Sequence, residues 1–333
     1  MADSLHSVLN PQFISGLIQQ FPVKQMLSDK IYGKKISQTL DVSWDVIHGS
    51  YPMAPIAGMN SKAPMCAPPN ITNMKGTAVT VKHKIAIKAS DMLLLRKPGT
   101  VNDIYGQQIL LDYTARVNDG VDFRLEWLKM TALTGAIAYV DTETGVQFTI
   151  DYGFQGSHKP TLLTTNRWND LVNSDPLKDV ADWVNLIMKD GGAAANKLIM
   201  NYTTLQLMLN NTKARDLLKY TATTDLLARI KSYLAGYNLE LEVSFGVYTA
   251  SNGVNTPLVA DNKVIICASE GNSSSPAEKT AVFIDAPNEY TMNPGKFGVT
   301  IEEEDPKTTL IIAGQNGLPV IQFPDRIVCA TVA

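Results

Sequence analysis

Residues 115–151 read ARVNDGVDFRLEWLKMTALTGAIAYVDTETGVQFTID. Traced back from this stretch, Ile109, Tyr113, Val117, Val121, Leu125, Leu128, Ala132 and Ala136 recur at steps of three or four. That is one face of a helix of about nine turns if the steps are continuous. Gly120 sits inside the pattern and costs roughly 1 kcal/mol relative to alanine in a helix interior, so a bend or break is expected there. Beyond Gly135 the pattern changes to a tight hairpin of two short strands. A helix this long, against a mean of about eleven residues, reads as the spine of a flat, extended molecule rather than one layer of a compact enzyme.

Upstream of the spine the chain has little that covers itself. Pro11–Gln20 places Phe13, Ile14, Leu17 and Ile18 on one helical face, an arm whose apolar residues need another surface. Lys34–Val42 alternates and predicts one strand, with Ile36, Gln38 and Leu40 against Ser37, Thr39 and Asp41. Residues 48–76 read as loop because of their prolines and glycines. Thr77–Ala89 alternates, with Val79, Val81, His83, Ile85 and Ile87 on one face and Lys82, Lys84 and Lys88 on the other. Residues 50–100 then read as a long hairpin-like excursion, which cannot stabilise itself in water and needs a partner.

Downstream, Asp175-Pro176 opens a helix with Val180, Trp183, Val184, Ile187 and Met188 as its stripe, and Gly191-Gly192 closes it. Short helices at 204–210 and 224–234 alternate with strands at 197–201, 239–243, 247–250, 263–268 and 281–285, which predicts an α+β or α/β lobe over 176–285. Residues 297–303, 308–313 and 318–332 read as strands, with Gln315-Asn316-Gly317 as a break between the last two.

At 333 residues with 45% hydrophobic and 18% charged content, the chain is globular and long enough for two or three domains. The net charge of −3 carries no whole-chain signature of nucleic-acid binding, although residues 1–100 are net +6 and residues 101–333 net −9. That asymmetry is sampling noise or a basic third docking on the acidic surface of another copy. Cys66, Cys267 and Cys329 lie far apart, which speaks against a disulfide framework and a zinc site and for synthesis in a reducing cytoplasm. No apolar run approaches 18 residues, so no membrane span is expected, and the N-terminus lacks the pattern of a signal peptide.

Catalytic patterns are missing. His6, His48, His83 and His158 are the four histidines, without metal-ligand spacing. Gly191-Gly192 follows a helix and precedes a strand, the reverse of a phosphate loop. Glu302–Asp305 reads as a solvated acidic turn more readily than as a cation site. Glu126, between Arg124 and Lys129, reads as an ion-pair partner within or between subunits. Trp44, Trp127, Trp168 and Trp183 read as core or interface anchors. The expectation is a protein that is not an enzyme, with no cofactor and no metal.

Five segments in order carry a family resemblance: VTVKHKIAIKASDMLLLRK at 79–97; LEWLKMTALTGAIAYV at 125–140; Arg167-Trp168 with Ser174-Asp175-Pro176 and Asp179-Val180; Asn252–Ser269; and Leu318-Pro319-Val320 with Pro324-Asp325 and a final apolar strand. In order and spacing, from about residue 34 to the end, the sequence resembles the tailed-phage major capsid proteins, in particular the family of the phage lambda coat protein. Gly120 within the spine and a less basic linker at 98–106 depart from that pattern. The resemblance implies an α+β fold of the Hong Kong 97 type, with an N-arm, an extended β-hairpin loop, a peripheral domain with a long spine helix and an axial α/β domain. Their implied limits are 1–45, 46–100, 101–179 and 180–289, with 290–333 returning strands to the peripheral domain.

It further implies a coat subunit that self-assembles as hexamers and pentamers into the icosahedral head around a double-stranded DNA genome. Its implied partners are a scaffolding protein separate from this chain, a portal protein, a possible decoration protein and, non-specifically, packaged DNA. Expected contacts between subunits are Phe13, Leu17, Ile85, Ile87, Lys82, Lys84, Lys88 and Glu126. An encapsulin-like shell protein and a two-domain enzyme with its site in residues 176–285 are the competing readings.

Overall fold

The computed structural model describes residues 26–49, 70–88, 101–140, 145–217, 225–249, 253–269, 279–304 and 307–333, with short pieces between 53 and 65 and at Lys219. In chain order the first half holds strands β1 (Tyr32–Ile36), β2 (Asp41–His48), β3 (Asn70–Thr77) and β4 (Val79–Lys88), helix α1 (Val101–Ala132), and strands β5 (Ala136–Val140) and β6 (Gln147–Asp151). Then come α2 (Pro176–Gly191), β7 (Lys197–Asn201), α3 (Tyr202–Asn210), α4 (Thr212–Leu217), α5 (Leu226–Ala235), β8 (Glu240–Ser244), β9 (Val247–Thr249), β10 (Asn255–Pro257) and β11 (Lys263–Cys267). The chain closes with β12 (Ala281–Ala286), β13 (Lys296–Glu304), β14 (Lys307–Ile321) and β15 (Ile327–Thr331).

Two cores organise these elements. The first is built on β14. Strands β12 and β13 pair antiparallel along one of its edges, end to end, and β4 pairs antiparallel along the other from Lys88↔Thr308 to Val79↔Gly317. Strand β1 joins outside β12, in parallel. Helix α1 crosses this sheet, and its apolar stripe Val117, Val121, Leu125, Leu128 and Ala132 is buried. Each such fully buried aliphatic side chain contributes about 1.5–3 kcal/mol.

The expected break at Gly120 is absent: α1 is continuous over 32 residues. A Cβ at position 120 would lie 2.3 Å from His83 Nδ1, so the glycine is where the helix meets the histidine of β4. The residue marks a close approach rather than a hinge.

Four other expectations are corrected. The strand predicted over Lys34–Val42 is two strands, parted by a turn at Ser37–Leu40 in which Ser37 Oγ accepts the Thr39 amide at 3.2 Å. The stretch read as loop up to Gly76 holds β3, which pairs with β2 over its full length. Strand β4, expected to be part of an unsupported excursion, is locked into the sheet. Gln315-Asn316-Gly317 does not break the final strands but lies inside the 15-residue β14. There the Gln315 amide donates to Asp285 and the Asn316 amide donates to the Pro287 carbonyl at 2.7 Å, so both side-chain donors find acceptors within a strand.

The second core is the lobe from Trp168 onward. Its sheet runs β15-β11-β7-β8, with β7 and β8 parallel and the other pairs antiparallel. Helix α2 forms as its sequence predicts. Asp175 caps it by accepting the Lys178 amide at 3.2 Å, Pro176 opens it, and Gly192 ends it in the left-handed region at φ 61°. Its buried face, Leu177, Val180, Val184 and Ile187, covers the sheet. Trp168 stacks on Trp183 with ring centroids 6.2 Å apart and donates from Nε1 to Asp179 Oδ2 at 2.9 Å. Cys267 and Cys329 are free thiols buried on neighbouring strands β11 and β15. No described helix is long and apolar enough to cross a membrane.

Candidate assembly surface

The most exposed apolar surface begins where β2 and β3 end. Strand β2 buries Val42, Trp44 and Val46 against the first core, whereas no residue of β3 is buried. Beyond the His48↔Asn70 pair the chain leaves the body. Its described pieces there carry Met53, Ile56, Met59 and Met65 at 94, 103, 106 and 100% exposure. Leaving side chains of this size in water forfeits roughly 1.5–3 kcal/mol each relative to burial. A second apolar group lies on the lobe, where the exposed Tyr202 and Phe245 rings contact each other at 5.9 Å near exposed Val247 and Val254.

The N-terminal end of the described chain is fastened instead. The single 3₁₀ turn Leu27–Lys30 docks on α1, where Ser28 donates from its amide to Glu126 Oε1 at 2.9 Å and from its hydroxyl to Glu126 Oε2. Lys129 Nζ pairs with Asp29 Oδ1 at 3.0 Å, and Tyr32 donates its hydroxyl to the Lys129 carbonyl at 2.8 Å. Burial pushes the Glu126 carboxyl above its ordinary value, against the Ser28 hydrogen bonds. Burial also acts upward on Asp29, but the Lys129 charge and hydrogen bond outweigh it and hold that carboxyl below its ordinary value. Lys296 adds a further pair to α1, with Asp122 Oδ1 at 2.5 Å.

The residues expected to contact other copies separate accordingly. Ile87 is buried inside the subunit and Ile85 is half-buried against the same core, so β4 covers its own apolar face against α1. Glu126 is buried and bonded within the chain. Lys82, Lys84 and Lys88 are exposed on the outer face of β4, with Lys82 paired to Glu289. Phe13 and Leu17 lie outside the described residues. Two features went unread in the sequence. Ser28 and Asp29 carried no periodic signal, and the methionines of 53–65 were hidden in a proline-rich stretch. Among the described residues no group of three histidine, cysteine, aspartate or glutamate side chains could hold a metal ion.

Comparison with known proteins places this arrangement. The family described as phage major capsid protein E matches residues 14–332. No curated protein sequence matches the chain. A prophage protein of Escherichia coli CFT073 described as a capsid protein shares the fold with a TM-score of 0.64 at 15% identity, covering 97% of this chain and 98% of the other. A phage-related protein from Bordetella bronchiseptica RB50 follows with a TM-score of 0.58 at 13% identity, covering 97% of each chain. The procapsid of satellite phage P4 aligns with a TM-score of 0.51 at 8% identity, over 96% of this chain and 90% of that one. At these identities the likeness is one of fold.

Proposed function

Since this chain belongs to the phage major capsid protein E family, we propose that it completes its surface only against copies of itself, through the arm, the excursion beyond β2–β3 and the exposed end of the lobe. It is a major capsid protein, the structural subunit of a tailed-phage head, with the Hong Kong 97-type coat fold. Within 1–45 the residues ahead of the Leu27–Lys30 turn act as the arm, and within 46–100 the stretch between β2 and β3 acts as the extended loop, while β1, β2 and β4 belong to the subunit body. The β14 sheet, including β12, forms the peripheral domain with α1 and the β5–β6 hairpin, and the lobe from Trp168 onward, with β15 in its sheet, forms the axial domain that meets its copies at capsomer centres.

Copies gather as hexamers and pentamers in an icosahedral shell. Phe13 and Leu17 of the arm, with Lys84 and Lys88 on the outer face of β4, lie at contacts between copies, whereas Ile87 and Glu126 serve the subunit itself. Permanent interfaces commonly bury about 2,000–5,000 Å², and contacts repeated around a closed shell reinforce one another. A scaffolding protein and a portal protein act with it during assembly in the host cytoplasm. A decoration protein would dress the finished head. Packaged double-stranded DNA touches the inner face non-specifically, in a salt-dependent way.

The observation that carries this reading is the full exposure of Met53, Ile56, Met59 and Met65 in a single copy. Negative-stain microscopy and sedimentation of the purified protein test it. Wild type is expected to form shells, and Ile56→Asp with Met59→Asp is expected to remain as folded, unassembled subunits. Shells formed by that variant as readily as by wild type would refute the proposal.

A further inference from the structure

The excursion leaves the body at one buried carboxylate. Asp325 lies in the turn Pro324–Arg326 between β14 and β15 and is 3% exposed. Its Oδ2 accepts the Gly49 amide at 3.0 Å and faces His48 Nδ1 at 3.2 Å, while its Oδ1 accepts Gln155 Nε2 at 3.3 Å. A carboxylate has acceptors only, so His48 must hold its proton on Nδ1 here. The adjoining Gln322 carbonyl accepts the Ile47 amide at 2.9 Å. The last three residues of the root, Ile47, His48 and Gly49, are therefore all held by residues 322–325, and Gly49 turns away at φ +90°.

The other side of the same turn belongs to the axial lobe. A Cβ on Gly191, the last residue of α2, would lie 2.7 Å from the Asp325 carbonyl oxygen, and Arg326 Nε donates to the Gly191 carbonyl at 3.3 Å. The Arg326 carbonyl accepts the Ala268 amide at 3.0 Å. One short turn thus contacts the lobe through its backbone and the Arg326 side chain, and the root of the excursion through the Asp325 carboxylate.

We propose that Asp325 is a positioning residue for assembly: its carboxylate fixes the direction in which the chain leaves β2, and so where a neighbouring copy meets Met53, Ile56 and Met59. The excursion is then oriented relative to the axial lobe as well as to the sheet. This rests on the shell-forming role above and adds to it a determinant inside the subunit. Asparagine at 325 would turn an amide donor toward the donors Gly49 N–H, His48 Nδ1–H or Gln155 Nε2–H, keeping the size of the side chain while undoing the arrangement.

The test uses full-length Asp325→Asn, with His48→Gln and His48→Ala as milder variants at a half-exposed position. Asp325→Asn is expected to raise the concentration needed for shell formation roughly tenfold or more, equivalent to about 1.4 kcal/mol per subunit. Its Gly49 amide is expected to exchange with solvent at least about tenfold faster, while amides in β11 and β15 keep wild-type rates. His48→Gln, which retains a donor, should assemble closer to wild type than His48→Ala. Unchanged Gly49 exchange in Asp325→Asn would overturn the proposal. So would normal assembly by that variant below its melting temperature, since a merely structural role moves the melting point alone. Should wild type itself form no shells, the shell-forming reading falls, and Gly49 exchange still decides whether Asp325 holds the root.

Discussion

Strands β3 and β4 are separated by Ala78 alone, yet one has no buried residue and the other is bound on β14 and covered by α1. Strand β3 pairs with β2 over its full length, packs Met74 against the first core, and leads toward the exposed Met65, Met59, Ile56 and Met53. Strand β4 buries Val81 and Ile87 inside its own subunit. Alternation of side chains along a strand does not say which situation holds. The deciding factor is a remote partner, β14, more than two hundred residues later in the chain. On the function proposed above, folding of the subunit and assembly of the shell are carried by neighbouring stretches with different sensitivities to change.

This contrast can be broken by substitution, and the effects on subunit stability fall in a definite order. The largest is expected for Gly314→Val. A Cβ there would lie 2.7 Å from the Val81 carbonyl oxygen and 2.5 Å from the Phe297 ring. Forcing it in parts β4 from β14 and costs about 3 kcal/mol or more, measured by chemical denaturation of the isolated subunit. Ile87→Ala follows, with a loss of about 2–4 kcal/mol from the cavity it leaves. If that variant melted like wild type, β4 would not belong to the subunit core.

Glu126→Gln is expected to cost about 1–2 kcal/mol near neutral pH, with a pH signature. Because burial raises the Glu126 value in the folded chain, the folded state holds that proton more tightly than the unfolded state does. Ionisation therefore weakens the fold as pH rises from the ordinary value of 4.5 through the raised one, and below the ordinary value that penalty is absent. Wild type should gain on Glu126→Gln as pH falls through this window, read from paired melting curves between about pH 4 and 7. A parallel pair of curves would contradict it.

Ile56→Asp sharpens the comparison from the other side, with subunit stability unchanged within about 0.5 kcal/mol while shell formation is lost. The smallest effect is expected for Gly120→Ala, where a helix-propensity gain of about 1 kcal/mol is offset by displacement of His83. The double variant with His83→Ala should recover the gain as a higher melting temperature.

The ends of helix α2 were legible, because Asp175, Pro176 and Gly192 each act on their nearest neighbours, while Met188, read as part of its stripe, stands exposed. A long α1 was legible from its stripe, and so were the hairpin after Gly135 and the two faces of β4, but not the ends of α1: residues 101–106, read as linker, are helical, and Ala136, read as the last of the stripe, lies in β5. What failed depended on partners distant in sequence. Gly120 looks like a weakness until His83 stands opposite it. Gln315-Asn316-Gly317 looks like a turn until Asp285 and the Pro287 carbonyl take up its amides. Strand β3, NITNMKGT, has no clear alternation because its ladder to β2, side-chain bonds to Asp41 and Asp45 and the single packed Met74 hold it without a buried apolar face. Of the assembly surface, the need for cover was visible in composition. Which residues stand uncovered, and that Glu126 serves the subunit, required the packing itself.

Cys267 and Cys329 have a practical consequence. Burial pushes their thiols up to about 12 and about 11, and both pack in the first core although their strands belong to the lobe's sheet. The reactive thiolate is almost absent at neutral pH, so these two sulfurs should ignore alkylating reagents while β11 and β15 stay paired. Their labelling rate then serves as a native clock for the parting of the lobe's sheet from the first core, in free subunits and in finished heads alike, without any engineered probe.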